Sequence, residues 1–227
     1  MDRHNARSRQ SAPHSRYLCC VTRQAAPQLR TTTSEREAMK QSSLQVGVDV
    51  PWVTSWTAEP VLGIQPCQTV SGRPALVQAQ CAGFGKPEYS KNHLVRQRLT
   101  VRKMLCPMCG EPTHAGDRVT QLAKPTTAGA LRARGLAGGL GANISDGEVL
   151  IDAGSIAPLH RRCSDLSLKH CPHLRAAPVE VQSFPDRWLI LPLLIEADTT
   201  PSPGHALLRQ PPRPIAVVTF LQICGWP

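Results

Sequence analysis

The sequence predicts an α+β fold: a small mixed β structure with two short helices, behind a disordered N-terminal arm. Three observations predict it. Residues 1–45 carry no periodic apolar face. Short β-rich runs bounded by Pro and Gly begin at Val46, as in VDVPWVTSW and RPALVQAQC. Two later stretches, TAGALRARGLAGGLGAN and SIAPLHRRCSDLSLKHCPHL, have helical spacing with Gly or Pro at their ends.

The arm is rich in Ser, Thr, Gln, Arg and Ala, a composition unable to offset its own ordering entropy. It holds eight Lys/Arg against three Asp/Glu, half of the net charge of +10 for the whole chain. Met39 stands just before the first strand-like text, so an alternative start there is expected, which would remove the Cys19 and Cys20 pair. Residues 46–227 are expected to form a single domain. Its longest apolar run, WLILPLLI, is broken by Pro192 and far shorter than the roughly 20 residues a bilayer requires. The first twenty residues hold no apolar block to act as a signal peptide, so the expected compartment is the cytoplasm. Nine cysteines in a long chain with no export signal read as reduced thiols, some of them metal ligands.

Along the domain, NHLVRQRLTVRKML reads as a half-buried strand by its alternation, with Arg96, Arg98, Thr100 and Arg102 on one face and Leu99 and Val101 on the other. Residues 128–136 read as a helix ended by glycines. Pro158 suits a first helical position and Pro172 a stop, so Leu159, Cys163, Leu166 and His170 fall on one inward face. VEVQSF, WLILPLLIEA and PIAVVTFLQICGW complete the strands.

The strand at residues 91–103 feeds CPMCG. A CxxC pair on a tight turn points two thiolates the same way, and Gly110 can take the left-handed backbone such a turn needs. One knuckle is half of a tetrahedral site. The other half is His160 and Cys163, an H-x-x-C pair at the opening of a helix, where i and i+3 side chains share a face. Cys106, Cys109, His160 and Cys163 thus form a treble-clef-like module for structural Zn2+, with Cys171 in reserve. Fifty residues separate the pairs, so an insertion carrying the first helix must loop out. His170 sits about 10 Å along the helix axis from Cys163 and cannot share the ion. A redox dithiol at CPMC would want a helix after the first Cys, whereas GEPTHAGD reads as a turn. Cys67, Cys81 and Cys224 read as small buried hydrophobes. CAGFGKPEY lacks the first Gly and the Ser or Thr of a phosphate loop, so no nucleotide cofactor is expected. Lys91, Arg96, Arg98, Arg102 and Lys103, with no acid among them, offer a candidate phosphate-contacting face.

NHLVRQRLTVRKMLCPMCGEPT, VLIDAGSIAPLHRRCSDLSLKHCPHL and VVTFLQICG resemble a group of phage, prophage and actinobacterial proteins that share a CPxCG knuckle, a later H/C-x-x-C pair and a trailing CPxL. The resemblance runs from Val46 to Gly225. It implies the same metal set, with Cys171 in the trailing motif, and brings no established activity. The expected function is a non-catalytic accessory protein that binds nucleic acid or a phage or host protein, since four ligands leave no open metal position. The alternative is a metal-dependent nuclease of the His-Asn-His type, with Asn92, His93 and His114 near the metal.

Overall fold

The computed structural model describes residues 40–176, 180–198 and 214–227; the arm, Met39 and the Cys19 and Cys20 pair lie outside them. The described residues form an α+β structure arranged around one long strand, β11 (Pro214–Gly225). Its apolar text, VVTFLQIC, is buried on both faces over much of its length. Strand β10 (Trp188–Asp198) pairs antiparallel along one edge, with a register shift between Pro192 and Leu194 where proline has no amide to donate. The opposite edge is shared. Strand β3 (Pro74–Gln78) pairs parallel at Val218, and β7 (Val149–Asp152) pairs antiparallel at Cys224 and Gly225. Strands β2 (Val61–Pro66) and β6 (Lys124–Thr127) extend the sheet outward from β3 and β7.

Between those partners the β11 edge is covered by α1 (Leu94–Lys103), and this corrects the expectation of a strand over the same residues. Leu, Arg, Gln and Lys are good helix formers. His93 caps the start by accepting from the Arg96 amide, and Met104 ends the helix in the left-handed conformation. The alternation of apolar and basic residues misled because α1 is enclosed on nearly every side: Arg96, Gln97 and Arg98 are as buried as Val95 and Val101. Gln97 and Arg98 bond β11 backbone. Arg96 pairs with Glu59 at 2.7 Å and reaches the Thr54 carbonyl. The expected phosphate-contacting face therefore does not exist as such: Arg96 and Arg98 are interior residues, and only Lys91, Arg102 and Lys103 of that set are exposed.

A second sheet, β8-β5-β9, joins β5 (Arg118–Thr120), β8 (Leu159–His160) and β9 (Gln182–Ser183). A two-stranded pair joins β1 (Thr54–Trp56) and β4 (Pro87–Asn92). Helix α2 (Ala128–Ala133) is capped by the Thr127 hydroxyl and followed by Gly135 at φ +81°. The expected looped-out insertion is instead integrated, because β6 and β7 flank α2 and carry it onto the main sheet, where Leu131 and Leu136 are buried with Leu150 and Leu191. Helix α3 (Arg161–His170) begins three residues after Pro158, with His160 as its N-cap, and α4 (Pro172–Ala176) follows directly. Its inward face is Cys163, Ser164 and Ser167, not Leu166 and His170; Leu166 is 51% exposed. The rotation is fixed by Gln121, whose amide donates to both serine hydroxyls. Cys67 and Cys224 are buried and Cys81 is half-buried. Among the described residues no helix is long and apolar enough to cross a membrane.

Candidate metal centre

Four chain segments build the centre. Helix α1 ends at Met104, and the chain turns through Cys106 and Cys109 in a knuckle closed by the Leu105 to Pro112 bridge. Within it the Gly110 amide donates to the Cys106 carbonyl at 2.8 Å, and the Cys106 amide donates to the Glu111 carbonyl at 2.8 Å. Gly110 takes φ +81°, and a Cβ there would lie 2.8 Å from the Trp52 ring, so both backbone angle and space call for glycine. Strand β8 brings in His160 by pairing with Arg118 of β5, and Cys163 follows on the first turn of α3. The fourth segment, residues 45–53, gives no ligand but clamps the knuckle: the Trp52 and Val53 amides donate to the Met108 and Pro107 carbonyls.

The donor atoms of Cys106, Cys109, His160 and Cys163 all lie within 4.8 Å of one another. His160 Nδ1 is 3.4 Å from Cys109 Sγ and 3.8 Å from Cys163 Sγ. A tetrahedral zinc with Zn–S near 2.3 Å and Zn–N near 2.0 Å sets sulfur and nitrogen about 3.5 Å apart, so the donor set fits such an ion. The other imidazole nitrogen fixes the tautomer. His160 Nε2 lies 3.0 Å from the Pro112 carbonyl, an acceptor only, so Nε2 carries the proton and the Nδ1 lone pair faces the sulfurs.

The surroundings are apolar: Val119 and Leu159 are buried against Cys106 and Cys163, with Met108, Ile156 and Val181 packed around them. Burial pushes the Cys163 thiol up to about 12, and the neighbouring Cys106 and Cys109 sulfurs add to the effect. Burial first, and the Cys106 sulfur next among the raising causes, also lift Cys109. Sulfurs crowded in an apolar shell resist ionising beside one another unless a cation joins them. The cluster could therefore hold a metal ion, and its chemistry suits one.

Cys171 lies outside the cluster: its amide continues the α3 ladder to Ser167 and the chain turns into α4. His170 is exposed at the far end of α3. The nuclease alternative loses His93, which is fully enclosed, donates from Nε2 to the Ala79 carbonyl at 2.8 Å and caps α1 with Nδ1. His114 is exposed and lines a small cleft beside His160. The clamp at residues 45–53 is not legible in the sequence, because it acts through backbone amides that leave no residue signature. No family model matches the chain, and no curated protein and no solved structure matches it.

Proposed function

We propose that Cys106, Cys109, His160 and Cys163 hold one structural zinc ion in a treble-clef-like module, and that the chain is a non-catalytic binding module of phage or prophage type. The observation that carries the metal reading is the fixed tautomer of His160, which aims its Nδ1 lone pair at the facing sulfurs. Four protein donors close a tetrahedral shell, which is the arrangement of structural and not catalytic zinc. When bound, the ion ties the knuckle after α1 to the start of α3, two segments that are fifty residues apart. Kinship with the phage and prophage group rests on the motifs at residues 92–113, 149–174 and 217–225. A net charge of +10 favours an anionic partner.

Native mass spectrometry of the full chain purified without chelator tests the metal reading. One zinc is expected in the parent, lost in Cys106→Ser and His160→Ala, and retained in Cys171→Ser. A folded parent without metal would overturn it.

A further inference from the structure

Cys67 and Arg98 meet beneath the turn that joins β2 to β3. Cys67 is 7% exposed, and around it Pro66, Gln68, Ser71 and Gly72 of the turn face solvent. The turn fixes its backbone: the Cys67 amide donates to the Arg73 carbonyl, and the Cys67 carbonyl accepts from the Val70 and Gly72 amides. Arg98 reaches in from α1 and is fully enclosed. Its Nη1 donates to the Thr219 carbonyl of β11 and its Nη2 to the Leu76 carbonyl of β3, so the guanidinium is held beside the sulfur.

Two donors converge on that sulfur. Arg98 Nη2 lies 3.6 Å from Cys67 Sγ, and a guanidinium can only donate. Arg98 Nε donates to the Thr69 hydroxyl oxygen at 2.8 Å, which turns the hydroxyl proton towards Cys67 Sγ, 3.1 Å away. The cluster around Cys67 is otherwise apolar, with Val70, Ala75, Val101 and Val218 among its members. Arg73 on the turn and Arg102 on α1 are exposed. Among the described residues, Arg96, Arg132 and Arg134 each pair with a carboxylate, whereas no carboxylate pairs with Arg98. A buried cation is costly without an anion, and of the groups bonded to Arg98 only the Cys67 sulfur can ionise to supply one.

Cys224 shows the opposite setting. Its sulfur faces the Asp152 carboxylate at 3.8 Å, and burial first, then Asp152, push that thiol up to about 12. Burial also raises Cys67, but the bonds from Thr69 and the charge of Arg98 outweigh it, and the net shift is downward. The thiolate, not the thiol, is the nucleophile.

We propose that Arg98 and Thr69 hold Cys67 as a thiolate, and that this sulfur is a site of oxidation by hydrogen peroxide. The sulfur attacks one peroxide oxygen; an S–O bond forms, the O–O bond breaks and hydroxide leaves. Sulfur gives two electrons to the peroxide and becomes a sulfenic acid. The site lies outside the metal cluster and depends neither on the ion nor on the reading of the chain as a binding module.

Nuclear magnetic resonance of the full chain with isotope-labelled cysteine Cβ, assigned with Cys67→Ser, reads ionisation directly. Cys67 should show the thiolate shift at pH 7, and Cys224 the thiol shift. Peptide mass spectrometry after brief exposure to hydrogen peroxide and an acid quench should find oxygen added at Cys67 before Cys224. Thr69→Val removes one donor and keeps the guanidinium with its ties to β11 and β3. It should slow oxidation of Cys67 about tenfold at pH 7, as expected for one lost hydrogen bond to a charged group. Arg98→Met should leave Cys67 a neutral thiol; if circular dichroism shows that variant unfolded, Thr69→Val decides. A neutral Cys67 at pH 7 in the folded parent, oxidation of Cys224 ahead of Cys67, or an unchanged rate in Thr69→Val would overturn the proposal.

Discussion

Gln97 pairs with Leu221 as a neighbouring strand would: its side-chain oxygen accepts from the Leu221 amide at 3.0 Å and its amide donates to the Leu221 carbonyl at 2.7 Å. The same amide donates to the Ser155 carbonyl. Arg98 continues the edge at the Thr219 carbonyl and reaches Leu76 of β3. Two helical side chains thus bridge the gap that β3 and β7 leave in the β11 edge, so that this stretch of backbone is buried with its bonds made.

Gln97→Leu removes all of these glutamine bonds and leaves buried backbone groups without partners. The expected cost is about 2–6 kcal/mol, at about 1–3 kcal/mol for each of the two buried Leu221 groups left unsatisfied. Urea unfolding should show a lower midpoint with an unchanged slope.

His93 gives the fold a pH dependence. Burial first, and Arg96 next, lower its pKa from 6.5 to about 4. The unfolded chain therefore takes up the proton at a higher pH than the folded one. The contribution of neutral His93 is complete above about pH 6.5 and is lost as pH falls from there towards about 4. Chemical denaturation at pH 7 and pH 5 should differ by about 2 kcal/mol from this group. A His93→Gln variant should lose most of that difference.

Zinc loading should release protons. Burial raises Cys109 and Cys163, the latter to about 12, so both are protonated at neutral pH before the ion arrives. Both must ionise to bind, so affinity should weaken as pH falls. Calorimetry in buffers of different ionisation enthalpy should report about two protons or more leaving per zinc. A proton count near zero would mean that Cys109 and Cys163 are already thiolates in the metal-free protein.

Gly110→Ala tests the knuckle without touching a ligand. The substitution strains a φ of +81° and drives a Cβ to 2.8 Å from Trp52. A loss of about 2 kcal/mol in stability is expected, with weaker zinc binding in competition with a chromophoric chelator.

The sequence by itself determined the α+β class, the positions of β1, β3, β9, β10 and β11, and the identity of the four residues that meet in the cysteine and histidine cluster. Each of these rests on short-range text. A CxxCG turn positions its own sulfurs, an H-x-x-C pair at a helix start faces one way, and runs such as VVTFLQIC can only be buried. The tertiary structure alone decided that residues 94–103 are helix. Alternating apolar and basic residues there satisfy a strand pattern, and only the unpaired edge of β11, more than a hundred residues away, gives Gln97 and Arg98 something to bond. It also decided that the insertion between the ligand pairs joins the main sheet and that residues 45–53 clamp the knuckle. Those outcomes depend on backbone pairing between remote segments, and a hydrogen bond from a peptide amide reads the same whichever side chain stands beside it.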